Sequence, residues 1–439
     1  MQNFFTPKSV AVIGVSKSKN KVGSVIFNNL KKYKGNLYAI NSNEKNVQGV
    51  KAYPSILNIK EKIDLAILAI PARFVIQTVN DCGKKGIKHL IIVTSGFAEI
   101  GNTKLEYELY KALEKNNIKC IGPNCLGVYD AHSKLDSLFL PTKQMTRPKA
   151  GGISFISQSG ALGSALVDIA AYENYGFAKF ISYGNATNLS ETDLLSYLGK
   201  DKQTKIICMY IEGIKDGKKF MDVAKKIDKP IIVIKGGRTE KGSKAAMSHT
   251  GSLAGSFQIY RGAFKQSNII LADSLQEMFH IAKLFNTIKM PKGRKVQVIT
   301  NGGGYGIVTT DLLEENNIQL SELSKRTTKR LTVLFPKICT IKNPMDLVGD
   351  ATDERYGIAI DACMRDDNVD LLLIILLPQT PLITKNIIKE LKKNTKKPMV
   401  FIVTGGKKTQ PFIKSLENNN FPVFQYPSEA VKAIKKFFS

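Results

Sequence analysis

Gly152-Ile153-Ser154-Phe155-Ile156-Ser157-Gln158-Ser159-Gly160-Ala161-Leu162-Gly163 runs from a short apolar stretch through a turn of small residues into the opening of a helix. Val296-Gln297-Val298-Ile299-Thr300-Asn301-Gly302-Gly303-Gly304-Tyr305-Gly306 repeats that plan. The echo continues downstream. Residues 205–213 followed by the run 229–237 (Lys-Pro-Ile-Ile-Val-Ile-Lys-Gly-Gly) match residues 370–378 followed by 397–406 (Lys-Pro-Met-Val-Phe-Ile-Val-Thr-Gly-Gly). Strand, glycine turn and amphipathic helix in alternation are the mark of parallel βαβ units. The two blocks read as copies of one flavodoxin-like design, although parallel α/β domains share much of this rhythm.

Upstream, the same alternation gives strands at 9–15, 37–40, 65–70, 89–94 and near 119–121, which is a doubly wound, Rossmann-like domain. Residues 142–150, with Pro141 just before them and Pro148 within, have the composition of a linker, and Met290-Pro291-Lys292-Gly293 punctuates the chain again. The fold class expected is therefore α/β. A Rossmann-like domain spans 1–130, a linker 131–150, and two flavodoxin-like domains 151–289 and 290–439.

Composition limits what such a chain does. A length of 439 residues suits two to four compact units. No run approaches the roughly 18–20 apolar residues of a bilayer span, and the first residues lack the basic-then-apolar order of a secretory signal. Six cysteines (82, 120, 125, 208, 339, 363) without a Cys-x-x-Cys pair suit a reducing cytoplasm, and the four histidines (89, 132, 249, 280) are not spaced for a metal, so none is expected. The net charge of +27 is extreme. It is carried mostly by lysine spread along the chain, without an aromatic-interleaved basic cluster. That describes a solvated surface suited to acidic ligands or an acidic partner, rather than a nucleic-acid or membrane surface.

Three turns and one loop carry the candidate chemistry. The first turn, Gly14-Val15-Ser16-Lys17-Ser18-Lys19-Asn20-Lys21-Val22-Gly23-Ser24, lies where an anion meets a helix N-terminus. It is not Gly-x-Gly-x-x-Gly. Its three lysines suit a polyphosphate better than a dinucleotide, and a purely structural turn would look similar. Ser157 to Ala161 and Asn301 to Gly304 offer small residues and exposed N–H groups at two further helix starts, a pair able to face one phosphate from opposite sides. The loop is Gly242-Ser243-Lys244-Ala245-Ala246-Met247-Ser248-His249-Thr250-Gly251-Ser252-Leu253-Ala254-Gly255. Its small residues keep His249 accessible, and imidazole is a good nucleophile near neutral pH.

That loop closely resembles the phosphohistidine loop of the NDP-forming acyl-CoA synthetases, the ADP-forming acetyl-CoA synthetase group related to succinyl-CoA synthetase. The resemblance extends over the chain. It includes Phe5-Thr6-Pro7-Lys8-Ser9-Val10-Ala11-Val12-Ile13-Gly14, Gly122-Pro123-Asn124-Cys125-Leu126-Gly127, the Ser157 to Gly163 turn, Thr300 to Gly306, and Asn343-Pro344-Met345-Asp346-Leu347.

The resemblance implies a reaction and a set of roles. Acyl-CoA and phosphate would give an acyl phosphate and CoA, and the phosphoryl group would pass to His249 and then to ADP. Glu212, in Tyr210-Ile211-Glu212-Gly213, would orient the imidazole, since a carboxylate on one ring nitrogen leaves the other to attack phosphorus. Phosphate would be held at Ser157, Ser159, Gly160 and Ala161 and at Gly302, Gly303 and Gly304. The resemblance implies that the first domain binds coenzyme A through Gly14, Ser16, Lys21, Gly23, Asn41, Pro71, Ser95, Gly96, Phe97 and Asn124. Two segments depart from the family pattern: Asn41-Ser42 stands where Asn-Pro is usual, and Gly302-Gly303-Gly304-Tyr305-Gly306 where Ala-Gly-Gly-Pro-Gly is common. No ATP-grasp module and no Gly-x-x-x-x-Gly-Lys-[Ser/Thr] loop is visible. The implied assembly is an α subunit with a separate ATP-grasp β subunit, an α2β2 heterotetramer, with ADP/ATP and Mg2+ on the partner. The acid is a small carboxylate, acetate by default. The alternatives are a CoA-binding regulatory protein and a protein acyltransferase-related subunit of the same fold.

Overall fold

The computed structural model of the chain describes residues 1–244 and 256–438. These form two compact units, Met1–Asp273 and Ser274–Ser439.

The first unit holds two sheets. β1 (Ser9–Ile13), α1 (Val22–Leu30), β2 (Asn36–Ile40), β3 (Asn46–Val47), β4 (Val50–Tyr53), β5 (Leu65–Leu68), α2 (Val75–Lys84), β6 (His89–Ile92), α3 (Thr103–Lys115) and β7 (Lys119–Ile121) build the first. Its order is β3-β4-β2-β1-β5-β6-β7, parallel except for the β3–β4 edge. β1 and β5 are buried along their whole length, as strands covered on both faces by helices must be. The chain builds outward from β1 on one side and then crosses to β5 on the other. A crevice therefore opens at the carboxyl ends of β1 and β5. The apolar runs expected as strands at 65–70 and 89–94 stop short, at Leu68 and Ile92, and their last residues turn into this crevice.

The second sheet contains β8 (Gly127–Asp130), β9 (Leu135–Asp136), β10 (Ala150–Ser157), α4 (Gly160–Tyr172), β11 (Phe177–Ser182), α5 (Glu191–Lys200), β12 (Ile206–Ile211), α6 (Gly217–Ala224), β13 (Ile231–Lys235), α7 (Phe257–Gln266) and β14 (Ile269–Leu271), in the strand order β14-β13-β12-β10-β11-β8-β9. The boundary expected at residue 130 falls inside this sheet, because β8 pairs antiparallel with β11, Lys179 opposite Asp130. The pairing buries a charged triad. Lys179 Nζ lies 3.3 Å from Asp130 and 3.0 Å from Asp201, which satisfies a cation that would be costly alone. The segment expected as a linker is also tied down. The Arg147 guanidinium donates to Asp136 and to the carbonyls of Leu140 and Met145, and Asn29 of α1 donates to the carbonyls of Leu138 and Leu140. One apolar core, running from Phe4 and Ile26 to Tyr183 and Phe264, is shared by both sheets.

The second unit begins with α8 (Leu275–Thr287), which packs on the last helix of that unit through Phe285 and Phe437, whose ring centroids are 4.7 Å apart. After it come β15 (Val296–Thr300), α9 (Gly303–Glu315), α10 (Lys325–Leu334), β16 (Met345–Asp346), α11 (Asp353–Met364), β17 (Leu371–Leu376), α12 (Ile387–Lys393), β18 (Met399–Val403), α13 (Gln410–Glu417), β19 (Val423–Phe424) and α14 (Pro427–Phe437). The order β16-β15-β17-β18-β19 matches β11-β10-β12-β13-β14 strand for strand. The repeat read in the sequence is thus a repeat of topology. Among the described residues, no helix is long and apolar enough to cross a membrane.

Candidate functional site

In the first sheet, the crevice is a cavity of about 430 Å3 lined by Gly14, Ser16, Lys21, Gly23, Pro71 and Ser95 together with Val22 and residues 69–70 and 93–94. Gly14 has φ +101°, and a Cβ there would lie 2.2 Å from the Ala69 carbonyl oxygen. A Cβ on Gly23 would lie 2.4 Å from the Gly14 oxygen, so these two positions let the turn close onto the start of α1. The turn is held from two sides. Ser24 Oγ accepts from the Ser16 N–H and donates to the Ser16 carbonyl, and Gln48 Nε2 donates to the carbonyls of Ser16 and Lys17. No side chain caps α1, which leaves its first N–H groups for a ligand.

Four of the residues expected here lie outside the cavity lining, because their polar groups serve the fold. Asn41 donates to the Val15 carbonyl and accepts from the N–H groups of Asn43 and Glu44. The N–H groups of Gly96 and Phe97 donate to the carboxylate of Glu99, and the Phe97 side chain is buried. Burial pushes the Glu99 carboxyl up, but hydrogen bonds from the Gly96 N–H, the Asn185 amide and the Phe97 N–H outweigh it and hold the carboxyl below the usual range. Asn124 donates to Asn185 Oδ1 at 3.2 Å, and Asn185 in turn donates to Glu99 and Glu106.

In the second sheet, the switch point lies between β10 and β12, since β11 and β12 flank β10 on opposite sides. Ser157 ends β10. Its buried hydroxyl donates to the Ser159 carbonyl at 2.6 Å and shapes the turn, while Ser159 Oγ caps α4 by accepting from the Leu162 N–H. Gly160 and Ala161 begin the helix, where N–H groups have no intrahelical acceptor. Gln158, quoted in the sequence motif but given no role there, bridges the crevice. Its Oε1 accepts from the N–H groups of Glu212 (2.8 Å) and Gly213 (3.2 Å) and from the Tyr183 hydroxyl (3.3 Å).

Glu212 follows β12 and is 6% exposed. Tyr210 bonds its carboxylate, and burial together with that charge pushes the Tyr210 phenol up to about 12. Gly236 makes room for the pair, because a Cβ there would lie 2.7 Å from the Tyr210 hydroxyl and 3.4 Å from Glu212 Cγ. His249 lies outside the described residues. The other three histidines are engaged in packing or backbone contacts. His89 sits edge-on to Phe4, His132 Nε2 lies 3.0 Å from the Gly151 carbonyl, and His280, edge-on to Phe424, is pushed down to about 4 by burial.

Inside the second unit the same construction recurs with different chemistry. Thr300 Oγ1 donates to the Gly302 carbonyl as Ser157 does to Ser159, and Asn301 Oδ1 accepts from the Leu377 N–H and the Tyr356 hydroxyl as Gln158 does from Glu212 and Tyr183. The position of Glu212 is taken by Leu377. Gly302, Gly303 and Gly304 open α9 without a side-chain cap. Asp346 stands beside them, 2.7 Å from where a Cβ on Gly303 would be.

Comparison with known proteins gives a family for each of the two sheets of the first unit. Residues 8–131 match the CoA binding domain family and residues 150–285 the succinyl-CoA ligase like flavodoxin domain family. The chain is 40% identical to the acetate–CoA ligase [ADP-forming] II subunit alpha of Pyrococcus furiosus, over 98% of this chain and 95% of that one. It is 42% identical to the acetate–CoA ligase [ADP-forming] of Methanocaldococcus jannaschii, over 98% of this chain but 62% of that longer one. Among solved structures, the dinucleotide-forming acetyl-coenzyme A synthetase 1 of Ca. Korarchaeum cryptofilum, in complex with phosphate and ADP, superposes with a TM-score of 0.93 at 36% identity, covering 100% of this chain and 96% of that one. With a relative so similar along nearly the whole of both sequences, this chain belongs to the family of ADP-forming acyl-CoA synthetase α subunits.

Proposed function

We propose that the chain is the catalytic α subunit of an ADP-forming acyl-CoA synthetase that interconverts acyl-CoA, ADP and phosphate with a carboxylic acid, CoA and ATP. The observation that carries the reading is Glu212, a buried carboxylate clamped through its backbone N–H by Gln158 at the start of α4. It stands at the carboxyl end of β12, beside the strand from which the His249 segment follows.

In this reading CoA lies in the first crevice, its phosphates met by the uncapped start of α1 and by Lys21. A phosphate oxygen held at Gly160 and Ala161 attacks the thioester carbonyl and CoA leaves as thiolate, giving an acyl phosphate. An imidazole nitrogen of His249 then attacks phosphorus and the carboxylate departs. Glu212 holds the ring in the tautomer that leaves this nitrogen free, and it offsets the positive charge that develops. Finally ADP, bound to an ATP-grasp partner chain, takes the phosphoryl group and the imidazole is restored. Within the second unit, Asp346 presents a carboxylate beside Gly303, which disfavours an anion at the start of α9. Acetate is the first acid to try.

The test is direct. The purified chain with acetyl-CoA and labelled phosphate should acquire acid-labile, base-stable label, and ATP should form only when an ATP-grasp subunit and ADP are added. An unlabelled chain under those conditions, or robust ATP synthesis by this chain alone, would overturn the proposal.

A further inference from the structure

The two crevices of the first unit meet along residues 122–126, the turn between β7 and β8. Asn124 donates its backbone N–H to the Thr94 carbonyl at 2.9 Å, in the wall of the first crevice. Two residues on, Leu126 donates its N–H to Ser182 Oγ, at the end of β11. Its Cβ lies 3.8 Å from where a Cβ on Gly160 would be, at the start of α4. One face of the turn therefore touches the first crevice and the other the second.

Asn185, three residues past the end of β11, brackets this turn. Its backbone N–H donates to the Pro123 carbonyl at 3.0 Å, and its Oδ1 accepts from Asn124 Nδ2 at 3.2 Å. Its Nδ2 donates to Glu99 at 2.6 Å and to Glu106 at 2.9 Å. Two carboxylates only accept, which fixes the orientation of the amide and uses both of its hydrogens. Each carboxylate carries the bracket further. Glu99 accepts from the N–H groups of Gly96 and Phe97, directly after Ser95 of the first crevice. Glu106, on α3, accepts from the Ala98 N–H at 2.9 Å and the Thr187 hydroxyl at 2.7 Å.

We propose that Asn185 is a positioning residue for the first half-reaction, holding the two crevices in the register at which a phosphate at Gly160 reaches the thioester carbonyl. This rests on the reading of the first crevice as the CoA site and the start of α4 as the phosphate site. Asn185 does not line the first cavity, so CoA binding does not depend on its side chain. The loop that carries it is also anchored independently. Asn188 accepts from the Cys120 N–H at 3.0 Å and donates to Glu114 at 2.9 Å, and the Leu189 N–H donates to the Cys120 carbonyl. Glu99 and Glu106 keep their backbone donors when the amide is removed. What is lost is the link between them and the turn. A displacement of about 1 Å between reacting groups can cost on the order of 100-fold in rate.

The experiment uses the complex of both subunits and reads three quantities on each variant. These are acetyl phosphate formation from acetyl-CoA and phosphate, ADP–ATP isotope exchange through the phosphoenzyme, and CoA affinity by calorimetry. Only the first needs both crevices in register. Asn185→Ala should lower acetyl phosphate formation about 10- to 100-fold, with exchange and CoA affinity within about threefold of wild type. Asn185→Asp, which sets a third carboxylate against Glu99 and Glu106, should lose at least as much of the first reaction. Asn188→Ala, a change in the same loop away from the turn, should leave all three within about twofold. Acetyl phosphate formation within about twofold of wild type in either Asn185 variant would overturn the inference. So would a loss shared equally by exchange or by CoA affinity, since that marks a residue needed only for the fold. A wild-type complex that forms no acetyl phosphate, or shows no ADP–ATP exchange, would instead overturn the parent reading, whatever Asn185 does.

Discussion

Replacing His249 by alanine is expected to abolish covalent labelling by phosphate and to lower ATP formation by on the order of 10^4-fold or more. Acetyl phosphate and free CoA should still form from acetyl-CoA and phosphate. That first step uses the crevice of the first sheet and the start of α4, and His249 enters only when phosphorus is attacked. The split between the two steps sets this apart from a variant that merely unfolds. Acetyl phosphate measured directly, beside label measured on the protein, checks it, and label persisting on the alanine variant would refute the assignment. No other histidine is an obvious substitute, since His89, His132 and His280 are engaged with Phe4, the Gly151 carbonyl and Phe424.

Glu212→Gln should lower kcat by about 10^2- to 10^4-fold while leaving the KM for acetyl-CoA within a few-fold, read by steady-state kinetics on the complex. The substitution is nearly isosteric, and the clamp from Gln158 goes to the backbone N–H of residue 212, so the main chain keeps its place. The charge is lost, and with it the offset to the developing imidazolium. An amide can also offer an N–H to the ring and favour the unproductive tautomer. CoA binding should survive, because the first crevice draws no residue from β12. A variant with wild-type kcat would show that Glu212 is only a buried acid.

The fold was legible because parallel strands covered on both faces write themselves as continuous apolar runs, as in residues 10–13, 206–209 and 371–376. Where a run ends was less legible. Residues 69–70 and 93–94 are as apolar or β-branched as the strands they extend, and only the turn into the crevice separates them. Partner choice was invisible as well. Gly127–Asp130 reads as a strand wherever it pairs, and its pairing with Phe177–Ser182, which buries Asp130 against Lys179, joins residues some fifty positions apart.

In the site, His249 and Glu212 came from motif and resemblance, and six of ten residues expected at CoA line the cavity. The polar neighbours of the others were partly readable. An acid three residues after Gly96 and the Asn-Ser-Asn of 41–43 both signal side chains that bond the local backbone. Gln158 carried no such signal, because its partners at 183 and 212–213 are assembled only by the sheet.

The hairpin of β8 and β9 has a thermal consequence. The chain leaves the first sheet, adds two strands to the edge of the second, and returns through β10 to its centre, with a common core between them. Neither sheet can then melt first, since losing one strips strands or core from the other. Residues 1–273, expressed alone, should absorb heat in a single peak whose calorimetric and van't Hoff enthalpies agree, despite a length at which separate transitions are common. Two resolved peaks would mean that the sheets are joined only by sequence.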